Sequence, residues 1–128
     1  MRLLLDTHVL LALIEDRLVG LPAPVEDLLK DPDSEHHLSA ASLWEIAIKS
    51  RLGKLRLTPR LSLLPELLDG LGIRIVAINE HHALATVEPE PATRDPFDRM
   101  LLAQCQVEGL RLVTVDRALA SHPMVAKA

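Results

Sequence analysis

Asp6, Glu45, Asp98 and Asp116 are four acidic residues placed where alternating strands and helices would deliver them to one spot. Asp6 ends the apolar run Arg2-Leu3-Leu4-Leu5, and Asp116 ends Leu112-Val113-Thr114-Val115. Glu45 and Asp98 lie near the starts of two long helical patterns. In an open α/β sheet, ligands bind outside the carboxyl ends of the strands, where helices begin. Carboxylates gathered there repel one another unless some are protonated or a cation sits between them. The chemistry open to these four is therefore a divalent-metal site and metal-assisted hydrolysis.

Each acid also has a plainer reading. Asp6 and Asp116 could cap the helices that follow them. Glu45, in Leu43-Trp44-Glu45-Ile46, could be a solvated helix-face residue. In Arg94-Asp95-Pro96-Phe97-Asp98-Arg99, Pro96 suits a first helical turn, and Asp95 suits its N-cap. Asp98 then takes the third helical position, where the helix dipole favours a negative charge. We expect Asp95 to act chiefly as the cap and Asp98 to face the cleft. Arg99 beside it is a phosphate contact or an ion-pair partner. Thr114 could orient Asp116 or hydrogen-bond a water in the site. What raises the four acids above their alternatives is that all map to one edge of the expected sheet.

The elements that must position them read as follows. Residues 2–5 predict a buried strand, and a helix follows over 7–15. A second short helix starts near Pro24 and ends near Lys30, and Asp31-Pro32-Asp33 is a turn. Residues 36–39 predict a weakly signalled strand, followed by a helix over 40–51 that Gly53 closes. A Leu-rich helix covers 60–71, or begins near Leu64 because of Pro65. Residues 73–78 form the clearest strand, followed by a short helix over 79–87 and an extended loop over 88–91. A strong helix spans 97–109, with Gly109 as its stop. Residues 112–115 predict the last strand, and 117–121 a final helical turn. Strands alternating with helices imply βαβ units and a parallel sheet. No internal repeat or domain boundary is evident, so residues 1–128 are expected to form a single domain.

The remaining candidates are weaker. His36-His37 and His81-His82 are adjacent pairs, and neighbours share neither a helix face nor a strand face. They are expected to be surface histidines. His8 is expected to pack rather than line the cleft. Cys105 falls on the apolar stripe with Leu101 and Leu102, as a buried small hydrophobe. The chain has no Gly-rich phosphate loop and no Gly-x-Ser-x-Gly elbow.

Composition narrows the classes further. The 128 residues carry a formal charge of −4, with one Trp, one Phe and no Tyr. Composition thus offers no stacking platform of the kind that holds single strands, and the charge argues against a general nucleic-acid-binding module. A nuclease stays open, because bound metal changes the charge of an acidic site. A lone cysteine rules out an intrachain disulfide and fits a reducing cytoplasm. Asp6 and His8 interrupt the apolar start, so a signal peptide is not expected, nor is a membrane-spanning helix.

Four motifs together resemble PIN-domain proteins, and more narrowly VapC-type toxins of bacterial toxin–antitoxin pairs. They are Leu-Leu-Leu-Asp6-Thr7-His8, Leu38-Ser39-Ala-Ala-Ser-Leu-Trp44-Glu45-Ile-Ala-Ile-Lys49, Arg94-Asp95-Pro96-Phe97-Asp98-Arg99-Met-Leu-Leu-Ala-Gln104 and Leu-Val-Thr114-Val-Asp116. The resemblance runs through nearly the whole chain in matching order. It implies a three-layer α/β/α sandwich around a parallel sheet, and Mg²⁺- or Mn²⁺-dependent endoribonuclease activity. Carried over by motif, Asp6, Glu45, Asp98 and Asp116 would be the catalytic, metal-binding acids. Asp95 matches a recurrent position of less certain role. Family members often carry Trp where this chain has Ala12 or Leu13, a difference of packing.

On this reading the four acids hold one or two metal ions, and Lys49, Arg51 and Arg99 are candidate phosphate contacts. The implied partners are an RNA substrate, a VapB-like antitoxin offering an apolar helix and a basic side chain, and a second copy of the chain. Leu residues of the 7–30 and 60–71 segments could build such faces, although a core role is expected for most. Two rival classes remain at this level. A receiver-like signalling domain also gathers carboxylates and Mg²⁺, but it needs a late-strand Lys that this chain lacks. A catalytically silent binding protein would show no metal binding dependent on Glu45 or Asp98.

Overall fold

The computed structural model describes residues 1–57 and 60–127. Four strands, β1 (Arg2–Leu5), β2 (Glu35–Ser39), β3 (Ile73–Val76) and β4 (Arg111–Val113), form one sheet in the order β3-β2-β1-β4. Every pairing is parallel, with Leu5 opposite Leu38 on one side and Val113 on the other. Six α-helices flank the sheet: α1 (Thr7–Ile14), α2 (Ala23–Lys30), α3 (Ala40–Arg51), α4 (Leu64–Gly70), α5 (Glu80–Leu84) and α6 (Pro96–Glu108).

Why β1 lies in the middle follows from its composition. Leu3, Leu4 and Leu5 are fully buried, as an unbroken apolar run must be when both sheet faces are covered. Alternation along the strand then divides them. Leu3 and Leu5 pack with residues of α1, α2, α3 and α4, and Leu4 packs with Leu101, Leu102 and Cys105 of α6. Two cores on opposite sheet faces make the three-layer α/β/α sandwich that the motifs implied.

Most expected elements form close to their predicted limits, and the exceptions have local causes. Pro65 does delay the Leu-rich helix: a 3₁₀ turn spans Leu61–Leu63, and α4 starts at Leu64. Strand β3 stops at Val76 rather than residue 78, β4 at Val113 rather than 115, and α5 at Leu84 rather than 87. At the end of β3 the buried Gln104 of α6 donates to the Val76 and Ala77 carbonyls, taking the chain out of the ladder. The helical turn expected over 117–121 is absent. Instead i→i+3 bonds link Leu119 to Asp116 and His122 to Leu119, since so short a segment cannot offset helix nucleation. Gly109 ends α6 in the left-handed region at φ 69°. The Leu110 N–H returns to the Cys105 carbonyl and aims the chain into β4.

Two of the surface histidines are not on the surface. His37 is buried, with its Nδ1 3.1 Å from the Leu3 carbonyl oxygen. His82 is buried too. It accepts at Nδ1 from the Asn79 N–H, which leaves the proton on Nε2 for the Glu108 carboxylate 2.9 Å away. Strand alternation and the α5–α6 contact select one member of each pair for the interior. Cys105 is buried as expected, and burial pushes its thiol up to about 12.

Candidate active site

After β1 the chain passes to β2, whereas β4 lies on the other flank of β1. The gap between β1 and β4 is thus the topological switch point, where α/β sheets form their binding crevice. Asp6 opens that crevice. Its N–H donates to the Val113 carbonyl at 3.0 Å, which locks it to the end of the sheet. One carboxylate oxygen accepts the Val9 N–H at 2.9 Å as the N-cap of α1. The other accepts the Thr114 hydroxyl. Capping and cleft-lining are therefore both true of Asp6.

Thr114 ties together the acids that follow β1 and β4. Its hydroxyl oxygen also accepts the Asp116 N–H at 3.0 Å. One buried side chain thereby sets the spacing between Asp6 and Asp116. Asp116 itself caps the next turn through Ala118 N–H at 2.9 Å.

The other two acids come from helices. Asp95 is the N-cap of α6, bonded to Phe97 N–H at 2.9 Å. Asp98 stands at the third position of α6 and accepts the Thr93 hydroxyl at 3.1 Å. On α3, Ser42, Glu45 and Lys49 follow i, i+3, i+7 spacing and share a face. Lys49 pairs with Glu45 at 3.0 Å.

All five acids, Asp6, Glu45, Asp95, Asp98 and Asp116, line one cleft of about 490 Å³. His8, Ser42, Lys49, Lys54 and Phe97 line it as well. His8 is exposed at the cleft and not a packing residue, because α1 turns its first-turn surface towards the crevice. Lys54 and Ser42 were missed in the sequence. A signal for Lys54 existed: Gly53 at φ 71° turns the chain back, and Lys54 N–H bonds the Lys49 carbonyl at 2.9 Å. Arg99 does not line the cleft. Of its two expected roles the ion pair holds, to Glu90 at 2.6 Å, with a further bond to the Thr93 carbonyl. Arg51 is exposed and also outside the cleft lining.

The electrostatics are those of carboxylates held too close together. Burial pushes the Asp6 carboxyl above its ordinary range, and the Asp116 charge pushes the same way, against the Thr114 and Val9 hydrogen bonds. Burial likewise raises Asp98, helped by the charges of Asp95, Asp116 and Asp6 and opposed by the Thr93 hydrogen bond.

A carboxyl whose folded-state pKa is raised binds its proton more tightly folded than unfolded. Its ionised form therefore costs stability at neutral pH, and the cost disappears as pH falls through the raised value towards 3.8. We expect Asp98→Asn to melt above the parent at pH 7. The gap should close near pH 4. Thermal melts at both pH values check this, and a lower melting point at pH 7 would show that the Thr93 bond and helix dipole outweigh burial and repulsion.

The donor set suits a hard divalent cation. It is all oxygen at its acids, with no thiolate, and it is short of positive charge. Ser42 adds a buried hydroxyl with no hydrogen-bond partner, lining the same cleft. Among the described residues, no three His, Cys, Asp or Glu side chains are gathered tightly enough to hold an ion by themselves.

The comparisons with known proteins agree with this architecture. A search of curated protein sequences returned no match. Among solved structures the fold is similar to a chain of a toxin–antitoxin complex from Klebsiella pneumoniae, at 19% sequence identity and a TM-score of 0.60. That alignment covers 97% of this chain and 95% of the other. The family model of the PIN domain matches residues 3–123, and the chain therefore belongs to the PIN domain family.

Proposed function

We propose that this protein is a metal-dependent endoribonuclease, the toxin of a type II toxin–antitoxin pair of the VapC type. One observation carries the reading. Acids from four separate segments, Asp6, Glu45, Asp98 and Asp116, line a single cleft at the switch point of a PIN-family sheet. PIN domains are generally nucleases that use divalent metals, and family membership leaves the receiver-like reading without support.

In this reading the four acids hold Mg²⁺ or Mn²⁺, directly or through water. The ion, when bound, supplies positive charge against the phosphodiester and lowers the pKa of an attacking water. Thr114 fixes the separation of Asp6 and Asp116. Asp95 starts α6 in the register that points Asp98 into the cleft. Lys49 and Lys54 take the contacts to flanking phosphates, in place of Arg51 and Arg99.

The wider biology is proposed on the same footing. The Klebsiella pneumoniae neighbour comes from a toxin–antitoxin complex, which supports a VapB-like antitoxin as partner. A homodimer belongs to this reading, and Ile75 on the edge strand β3 and Ile78 just beyond it, both exposed, are surface available for it. No helix among the described residues is long and apolar enough to cross a membrane, and action in the cytoplasm on RNA is proposed. Residues 1–128 act as one nuclease domain.

The test is incubation of purified protein with total bacterial RNA in Mg²⁺, in Mn²⁺ and in EDTA. Discrete fragments that disappear in EDTA are expected. Cleavage that persists unchanged in EDTA would overturn a metal-dependent mechanism, and no cleavage with either metal would favour a silent binding protein.

A further inference from the structure

The chain has one Trp and one Phe and no Tyr. The fold brings these two together. Trp44 of α3 and Phe97 of α6 meet with ring centroids 5.7 Å apart and planes 60° apart. Phe97 lines the carboxylate cleft, and Trp44 directly precedes Glu45, which lines it too. The pair therefore stands at the rim of the acidic site, contributed by the two helices that carry Glu45 and Asp98.

Trp44 is 61% exposed. Covering such a ring with a flat partner would remove apolar surface from water. Phe97 contacts Trp44 in an edge-to-face pair that leaves most of Trp44 uncovered. Lys49 and Lys54 line the same cleft as Phe97. Aromatic ring, cations and a carboxylate cleft together are the parts of a single-strand binding track: bases stack on the ring while phosphates meet the lysines.

We propose that Trp44, propped by Phe97, is a base-binding subsite that stacks one unpaired nucleobase of single-stranded RNA next to the phosphate to be cut. The subsite rests on the nuclease reading and assigns Trp44 the base beside the phosphate to be cut. A duplex keeps its bases stacked inside and presents none to Trp44. Composition gave no sign of such a platform, because a single aromatic pair becomes one only when the fold joins residues distant in sequence.

The experiment uses the intrinsic fluorescence of the sole tryptophan. The full chain in EDTA is titrated with a mixed-sequence single-stranded RNA of ten nucleotides, and separately with the same RNA annealed to its complement. Saturable quenching by the single strand and little by the duplex is expected. Trp44→Leu should weaken single-strand binding, measured by anisotropy of a labelled RNA, roughly tenfold. Trp44→Phe should recover most of it, which a merely structural role would not require of an exposed ring. Phe97→Leu should weaken binding and reduce the quench of Trp44. Unchanged affinity in a folded Trp44→Leu that still cuts RNA would overturn the subsite, leave the nuclease reading intact, and assign the exposed ring to a protein partner. A parent protein that neither binds nor cuts single-stranded RNA would overturn both.

Discussion

Asp6→Asn is expected to lower metal-dependent RNA cleavage by on the order of 10³-fold or more, the scale seen when one strong electrostatic stabiliser is removed from an active site. The substitution is nearly isosteric and changes mainly the charge. Asn caps helices as well as Asp does, so the bond from Val9 N–H survives. The amide can donate to the Thr114 hydroxyl in place of the bond that Asp6 now accepts. Burial already pushes the Asp6 carboxyl towards its neutral form. The variant should therefore melt no lower than the parent at pH 7, and less repulsion on Asp98 and Asp116 acts in the same direction. Cleavage assays and thermal melts on one preparation read both effects. Wild-type cleavage in Asp6→Asn would remove Asp6 from the chemistry. Loss of cleavage together with a large fall in melting temperature would mean that its capping role dominates.

The second large effect is on stability. Leu102→Ala is expected to cost about 3 kcal/mol, within the range for emptying a fully buried Leu position. Leu102 is 0% exposed, in a cluster with Leu4, Leu110, Leu112 and Leu119 between α6 and the sheet. Such a cluster has little freedom to collapse, since β1 and β4 hold Leu4 and Leu112 rigidly from below. A loss of this size is a large part of a small domain's total stability, and a fall in melting temperature of roughly 10 °C should follow. Leu102 lies one turn after Asp98 on the same side of α6. Cleavage per folded molecule should therefore fall as well, though far less than in Asp6→Asn. Leu84→Ala is the control. Leu84 is 83% exposed, and its truncation should change the stability by no more than about 0.5 kcal/mol, as is typical of surface positions. A Leu102→Ala variant as stable as the parent would mean that α6 is not anchored through this cluster.

These two predictions separate what the cleft does from what holds it in place. Asp6 is tolerated in a buried position because hydrogen bonds from Thr114 and Val9 partly compensate its burial. Leu102 makes no contact with substrate in this reading, yet it fixes the helix that carries Asp95 and Asp98. Activity at such a site is expected to oppose stability, as the Asp98→Asn melts would show directly.

Much of this organisation can be read from local sequence. The run Leu3-Leu4-Leu5 dictates a strand covered on both faces. Pro96 and Asp95 dictate where α6 begins, and Gly109 dictates where it ends. Because loops after parallel strands gather at one edge, Asp6 and Asp116 can be assigned to the same crevice before any coordinates are known. These are short-range rules, of chain geometry and hydrogen bonding within a few residues.

What tertiary structure alone decided depends on contacts between distant segments. Periodicity does not reveal which member of a histidine pair turns inward, and the sheet and the α5–α6 contact chose His37 and His82. Nor does it reveal that Arg99 turns to Glu90 while Lys54, beyond a glycine turn, lines the cleft in its place. The Thr114 hydroxyl joins Asp6 to Asp116 across two strands whose neighbourhood is a property of strand order. The meeting of Trp44 and Phe97 is of the same kind. That meeting depends on packing α3 and α6 over one end of the sheet, and no short window of sequence contains both rings.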